Sequence, residues 1–535
     1  MDYRLYEVKG LSENPSDYEE NFNIIASSVE YCKNNNFNGL RLPRGTFAVY
    51  NTKALNLREA LFTGEIGATD DIRWHKERNV TFDINGFDKF AVVGDNTTLL
   101  FNGLIGAFDF RKVGKVKLSG VDIDWVEPLY FTAEVTEIVG KKVTFKPDIP
   151  LRGTEPVVSF QNIERKTLKQ KGMSVFCDIS NVKAETSTHF SFTSEDTYGL
   201  SVGDGIIARY IYNYSPIIHF YLCENAEVEN VTIHSGCGMG VIAHKSGNFR
   251  FENYRVVPKE NSPMSSNTDA THFISCNGKI HFNNCEFEGM GDDAVNVHGF
   301  YINVMKIIDE KTVVAKIEAA VQDGITDIPD SGDKVEFCSR DSLYPFAEGE
   351  IESVKADEKN LEMIISFKES LPESVTEGCC MGNVSKVAQL LVENCTVRNI
   401  RGRAMLIQNR KTVIKNNLFE GCTGQGVHIS TATGWWESIG TRDIEISNNR
   451  FIDCGYGITK YCDAVGVVVE VEAEKAVAGV HKNIVIKDNF IQGENTGIKL
   501  SGAENVKLYN NTFSGCKKSY DISDCKNIDL DGEIL

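Results

Sequence analysis

Val413-Ile414-Lys415-Asn416-Asn417-Leu418-Phe419 is one copy of a pattern that returns along the chain. Other copies are Ile280-His281-Phe282-Asn283-Asn284-Cys285-Glu286-Phe287, Ile444-Glu445-Ile446-Ser447-Asn448-Asn449-Arg450-Phe451, Val485-Ile486-Lys487-Asp488-Asn489-Phe490 and Val506-Lys507-Leu508-Tyr509-Asn510-Asn511-Thr512-Phe513. Each runs alternating apolar positions into an Asn pair or near equivalent, then another apolar residue. Several copies lie 22 or 23 residues apart, as from Glu393 to Asn416 and from Asp488 to Asn510. Alternation marks strands, and a fixed period of about 20 to 50 residues marks a solenoid. A coil of this length with Asn at its bend predicts an all-β, right-handed, single-stranded parallel β-helix. Asn tolerates left-handed backbone and can pair with the Asn one coil above.

Working outward, Asn21 to Cys32 has apolar residues at helical spacing, and Leu40-Arg41-Leu42-Pro43-Arg44-Gly45-Thr46-Phe47 is extended. A helix followed by L-P-x-G-T-F resembles the N-terminal cap and first coil of pectate-lyase-like β-helices, where something must cover the open strand edges. Residues 1–126 are therefore expected to hold the cap and first coils. The period lapses over 127–214 and 301–385, predicting two inserted β-domains, and holds over 215–300 and 386–535. The long interval from Asn448 to Asp488 predicts a loop extruded from a coil, placed at Ala464 to Ala478, of the kind that walls a binding groove.

A chain of 535 residues with 41% hydrophobic and 24% charged residues is globular, not disordered. A net charge of −19 without a Lys/Arg run excludes a nucleic-acid partner, and no apolar run is long enough for a membrane helix. Fifteen cysteines are an odd number, and Cys285, Cys395, Cys422, Cys454 and Cys516 recur at one point of the repeat, as an internal ladder of free thiols. The N-terminus carries no signal-like segment, so a cytoplasmic location is expected, or an extracytoplasmic one if a leader has been removed. Oligomeric state is left open, a homodimer included.

The chemistry concentrates in Asn267-Thr268-Asp269-Ala270 and Gly289-Met290-Gly291-Asp292-Asp293-Ala294-Val295-Asn296-Val297-His298-Gly299. Both acidic sites lead into alternating apolar runs and so sit at strand mouths. Aligning coils by their bends places Asp269 beneath Asp293, with Arg403 and Gln425 in the same column. Adjacent coils lie roughly 4.8 Å apart. Three acids that close repel one another, which a protein tolerates mainly where it needs shared protons. Asp269 and Asp293 are expected to hold a water, while the charge of its neighbours keeps Asp292 protonated as the acid.

N-T-D, then G-D-D, then H-G is the order found in β-helical glycoside hydrolases, including the polygalacturonases. The longer strings N-T-D-A-T-H-F and G-M-G-D-D-A-V-N-V-H-G look most like the α-1,3-galactosidases of glycoside hydrolase family 110. That resemblance spans the body from the cap to the last coils. It implies two inserted β-domains, inversion at the anomeric centre, no metal and no other cofactor, and Asp269, Asp292 and Asp293 as the catalytic trio. The expected partner is a carbohydrate ending in α-linked galactose, blood-group-B-type glycans among the candidates.

Substrate-binding candidates are His298 in the same strand, and Trp435 and Trp436, whose indoles could stack on the apolar face of a sugar. Arg403, Arg410, His244, Lys245 and His428 follow bends in flanking coils. A polygalacturonase-like hydrolase is the nearest alternative, but no R-I-K-type motif for a uronate follows His298. A non-catalytic glycan-binding β-helix has no reason to gather three acids.

Overall fold

Asn416, Asn448, Asp488 and Asn510 all take left-handed backbone, with φ of 58°, 55°, 56° and 55°. Their successors stack: Asn417 Nδ2 donates to Asn449 Oδ1 at 3.0 Å, Asn449 to Asn489 at 3.1 Å and Asn489 to Asn511 at 3.0 Å. The Asn pair thus divides its work, the first residue turning the corner and the second filling a buried amide ladder. The computed structural model describes residues 3–67, 78–172, 180–193, 199–318, 327–357, 362–457 and 463–534.

Each coil contributes three short strands. Arg410–Lys415, Leu418–Glu420 and Val427–Ile429 form one coil. They pair in parallel with Arg442–Ser447, Arg450–Ile452 and Ala464–Val469 of the next. Alternation sends every second side chain inward, so Ile414, Ile446, Ile486 and Leu508 stack in one fully buried column. Burying each such side chain stabilises by about 1.5–3 kcal/mol. Phe419 stacks on Phe451 with centroids 4.9 Å apart. At the N-terminal end the helix Tyr18–Asn34 packs Ile25, Val29 and Cys32 onto the core. A second helix, Thr52–Thr63, was not anticipated; Asn51 caps it and Gly64 ends it at φ 78°. Among the described residues no helix is long and apolar enough to cross a membrane.

Two stretches leave the solenoid. The first is an antiparallel six-stranded sheet of Tyr130–Val139, Lys142–Pro147, Ser159–Ile163, Ser180–Ala184, Phe190–Thr193 and Gly205–Arg209. The second is not cut off from the coil. The strand Val295–Asp309 begins inside it, parallel to Thr271–Ile274, and runs on outward. There it pairs with Thr312–Lys316, and Glu362–Phe367, Pro345–Asp357, Lys334–Cys338 and Cys380–Asn383 follow in order, the last pairing back on Tyr301 to Asn303. This closes a six-stranded antiparallel barrel, which leaves no open edge.

Two sequence expectations need correction. Ala464–Val469 is a buried strand of the body, as a run of Val favours, and the extruded loop begins only at Glu470. The thiols form two columns, not one: Cys285 and Cys395 follow the Asn bend, whereas Cys422 and Cys454 follow the next strand, and each thiol donates to the backbone carbonyl two residues before it. All thirteen described cysteines are free, with Cys516 and Cys525 half-buried and the others buried.

Candidate active site

The backbone ladder fixes the register of the acids. Gly240 N–H donates to the Asp269 carbonyl at 2.9 Å, Ala270 N–H to the Asp293 carbonyl at 2.9 Å, Ala294 N–H to Arg403 at 3.2 Å and Ala404 N–H to Gln425 at 3.1 Å. Asp269, Asp293, Arg403 and Gln425 therefore stand in one column on successive rungs. Asp292 is one residue to the side, and the three carboxylates bring oxygens within 4.8 Å of one another.

Each acid has its own partner. Arg403 grips Asp293 with three donors, its backbone N–H to Oδ1 at 2.8 Å, Nε to Oδ1 at 3.0 Å and Nη2 to Oδ2 at 2.7 Å. Arg401, itself buried, places Nη1 2.9 Å from Asp292 Oδ1. Asp269 Oδ2 lies 2.7 Å from His272 Nδ1. The side chains of Asp269 and Asp293 are 6% and 2% exposed, but that of Asp292 is 18% exposed, so Asp292 alone opens toward a ligand. The spacing of the trio could hold a divalent cation, yet Arg401 and Arg403 already supply two positive charges against it.

Burial raises the Asp293 pKa to about 6, helped by the charges of Asp292 and Asp269 and opposed by Arg403. Burial, then the Asp292 charge, lifts Asp269 well above the carboxylate range. For Asp293 the folded value lies above the ordinary 3.8. The stability linked to its proton is thus fully present below that value and is lost as pH rises through about 6. The cluster costs stability at neutral pH, as expected of a site kept for chemistry.

The first inserted sheet supports this backbone. Arg209, fully buried, donates through Nη1 to the Asn267 carbonyl, and reaches the Gly291 carbonyl at 3.5 Å. Arg401 Nη1 donates to the same Gly291 carbonyl at 3.2 Å. The loops bearing N-T-D and G-D-D are thus tied together from both sides.

The predicted binding residues separate into two groups. His298 lies behind the trio, with Nε2 2.6 Å from His272 Nε2. His428 is buried one coil beyond Arg403, its Nε2 2.8 Å from Glu470, with Glu472 beside it. Trp435 is exposed on the loop that carries Glu437. Trp436, in contrast, is buried in the core of the barrel under Arg340, so it anchors the loop and cannot stack on a sugar. Lys245 donates to the Ile328 carbonyl at 2.9 Å and to Asp330 at 3.0 Å, and Arg410 to Glu336 at 2.6 Å. Both tie the barrel to the body. His244 is directed at His219, 3.5 Å away, not at the acids.

An Arg410→Met variant is accordingly expected to lower stability by about 1–3 kcal/mol, by leaving part of Glu336 unpaired. Urea unfolding measures this, and an unchanged KM distinguishes a fastening residue from a binding one.

Sequence reasoning missed Arg401, His272 and Glu437. Arg401 stands two residues before Arg403 in the R-G-R string, and that period-two spacing is a usable signal. Glu437 is brought in by a short strand, Glu437–Ser438, paired with Gly299 and Phe300. Its Oε1 lies 3.8 Å from His298 Nε2.

Residues 374–481 and 439–532 match the family described as right handed beta helix region. The chain is 26% identical over 511 residues to alpha-1,3-galactosidase A of Shewanella woodyi, covering 89% of this chain and 80% of that one. It is 24% identical over 454 residues to alpha-1,3-galactosidase B of Phocaeicola vulgatus, covering 78% and 74%. Among solved structures, the A-module of a mannuronan C-5 epimerase of Azotobacter vinelandii aligns over 97% of each chain, at 11% identity and a TM-score of 0.44. That likeness is too loose to bear on the chemistry.

Proposed function

We propose that this chain, a relative of the α-1,3-galactosidases, is an inverting exo-α-1,3-galactosidase that removes terminal α-linked galactose from glycans. The observation that carries the reading is the convergence of Asp269, Asp292 and Asp293 on adjacent rungs, each with a different partner. Asp292, open to the ligand and bound by Arg401 only at Oδ1, donates a proton to the leaving oxygen through Oδ2. Asp293, held by Arg403, orients and deprotonates the attacking water, with Asp269 on the rung beneath it.

The nearest oxygens are closer than the roughly 6.5–9.5 Å usual for inverting pairs and nearer the ~5–5.5 Å of retaining ones. Spacing alone therefore does not support inversion. The hydrogen bonding favours it, since Arg403 donates to both oxygens of Asp293, which weakens it as a nucleophile while leaving Oδ2 a lone pair to take the water's proton. Trp435, at the rim, supplies an apolar face for a sugar ring.

The reading is tested by galactose release from a panel of aryl glycosides and α-1,3-galactosyl disaccharides, one of them fucosylated. Release from galacturonan instead would favour the polygalacturonase-like alternative. Because Asp293 works as the carboxylate, kcat/KM should fall as pH drops through about 6, the value to which its pKa is raised. A profile flat to pH 4 would remove Asp293 from that role.

A further inference from the structure

Two imidazoles stand behind Asp269, and their hydrogen bonds fix a proton count. His298 Nδ1 lies 2.9 Å from the Gly299 carbonyl oxygen. A carbonyl only accepts, so Nδ1 carries the hydrogen, and in a neutral ring Nε2 is then a bare lone pair. His272 Nε2, 2.6 Å from that lone pair, must donate to it. His272 Nδ1 is in turn bare, and it lies 2.7 Å from Asp269 Oδ2. The hydrogen for that contact is the carboxyl's own. An ionised Asp269 beside two neutral imidazoles sets lone pair against lone pair at one link, whichever tautomers are chosen. All three links are filled only when the chain carries one proton more, and so no net charge.

We propose that Asp269, His272 and His298 share a single proton along this chain, with His272 the positioning residue that lets Asp269 pass between acid and carboxylate without drawing on solvent. In the shift the Asp269 O–H bond breaks as N–H forms at His272 Nδ1, and the His272 Nε2–H bond breaks as N–H forms at His298 Nε2. No charge leaves the chain. Glu437, 3.8 Å from His298 Nε2, favours the proton at the far end. Asp292 favours it at Asp269, against Arg403, and His244 on the neighbouring rung also opposes an imidazolium. Burial depresses both histidines and raises Asp269, so the resting proton sits on the carboxyl. The neutral chain leaves Asp293 as the carboxylate that Arg403 grips and takes no proton from Asp292, the acid of the reaction. The catalytic use of the proton rests on the galactosidase reading above.

Nitrogen NMR of the full chain labelled at histidine tests it. His298 should carry its hydrogen on Nδ1 and His272 on Nε2, and the chain should lose one proton in a single step as pH rises. In Asp269→Asn the amide donates to His272 Nδ1, so both tautomers should persist although activity is lost. His272→Phe should lower kcat by about 10²-fold with KM changed less than about threefold. A hydrogen on His298 Nε2 at rest, two histidines titrating independently, or an unchanged kcat in His272→Phe would each overturn the proposal. The tautomers are read without substrate and in folded wild type, so they decide it even if His272→Phe does not fold or the galactosidase reading fails.

Discussion

Asp293→Asn is expected to lower kcat/KM by about 10²- to 10⁴-fold for natural disaccharides and aryl galactosides alike. The loss is independent of the leaving group because the attacking water must be activated whatever departs. Two effects add. The amide cannot take the water's proton, and Arg403, which spends three donors on the carboxylate, is left half-buried without the anion it grips. Asp292→Asn should behave differently. It removes the proton supply to the leaving oxygen, so an aryl galactoside with a good leaving group should lose much less than a disaccharide. A leaving-group dependence that appears at Asp293 and not at Asp292 would exchange the two roles.

Gly291→Ala is expected to be as damaging, for a steric reason. A Cβ at Gly291 would stand 2.0 Å from the Asn267 carbonyl oxygen and 2.8 Å from Arg209 Nη1. Backbone on the neighbouring coil cannot yield without separating the rung of Asp292 from that of Asp269. A destabilisation of about 3 kcal/mol follows from such overpacking. Displacing the reacting groups by about 1 Å costs roughly a further 10²-fold in rate. Gly434→Ala, whose added Cβ meets nothing within 4 Å, is the control and should leave both quantities near wild type. Thermal unfolding and kcat/KM together check the pair.

The residues that were legible in the sequence are those whose position follows from a period. The Asn bends set the coil, and counting from them put Asp269, Asp293, Arg403 and Gln425 in one column, where the backbone hydrogen bonds place them. The same count failed where the chain departs from the period. The barrel closes through pairings between strands up to about eighty residues apart, such as Tyr301 with Gly382, which alternation cannot rank. Glu437 arrives on an extruded loop, and nothing in its neighbourhood repeats. Lys245 and Arg410 read as cleft residues because they follow bends, but the barrel that claims them is not visible from the coil pattern. His272 was in plain view three residues after Asp269. Its part is set by His298 on the next rung, a pairing that appears only once side-chain direction as well as register is known.

The central claim is that the acid trio hydrolyses a terminal α-galactoside by direct attack of water. Proton NMR of the full chain acting on an α-1,3-galactosyl disaccharide tests it most directly, with spectra taken before the product mutarotates. The account predicts β-galactose as the first sugar released, with α-galactose appearing only later at the rate of free mutarotation. α-Galactose appearing first, or no galactose at all, would contradict it.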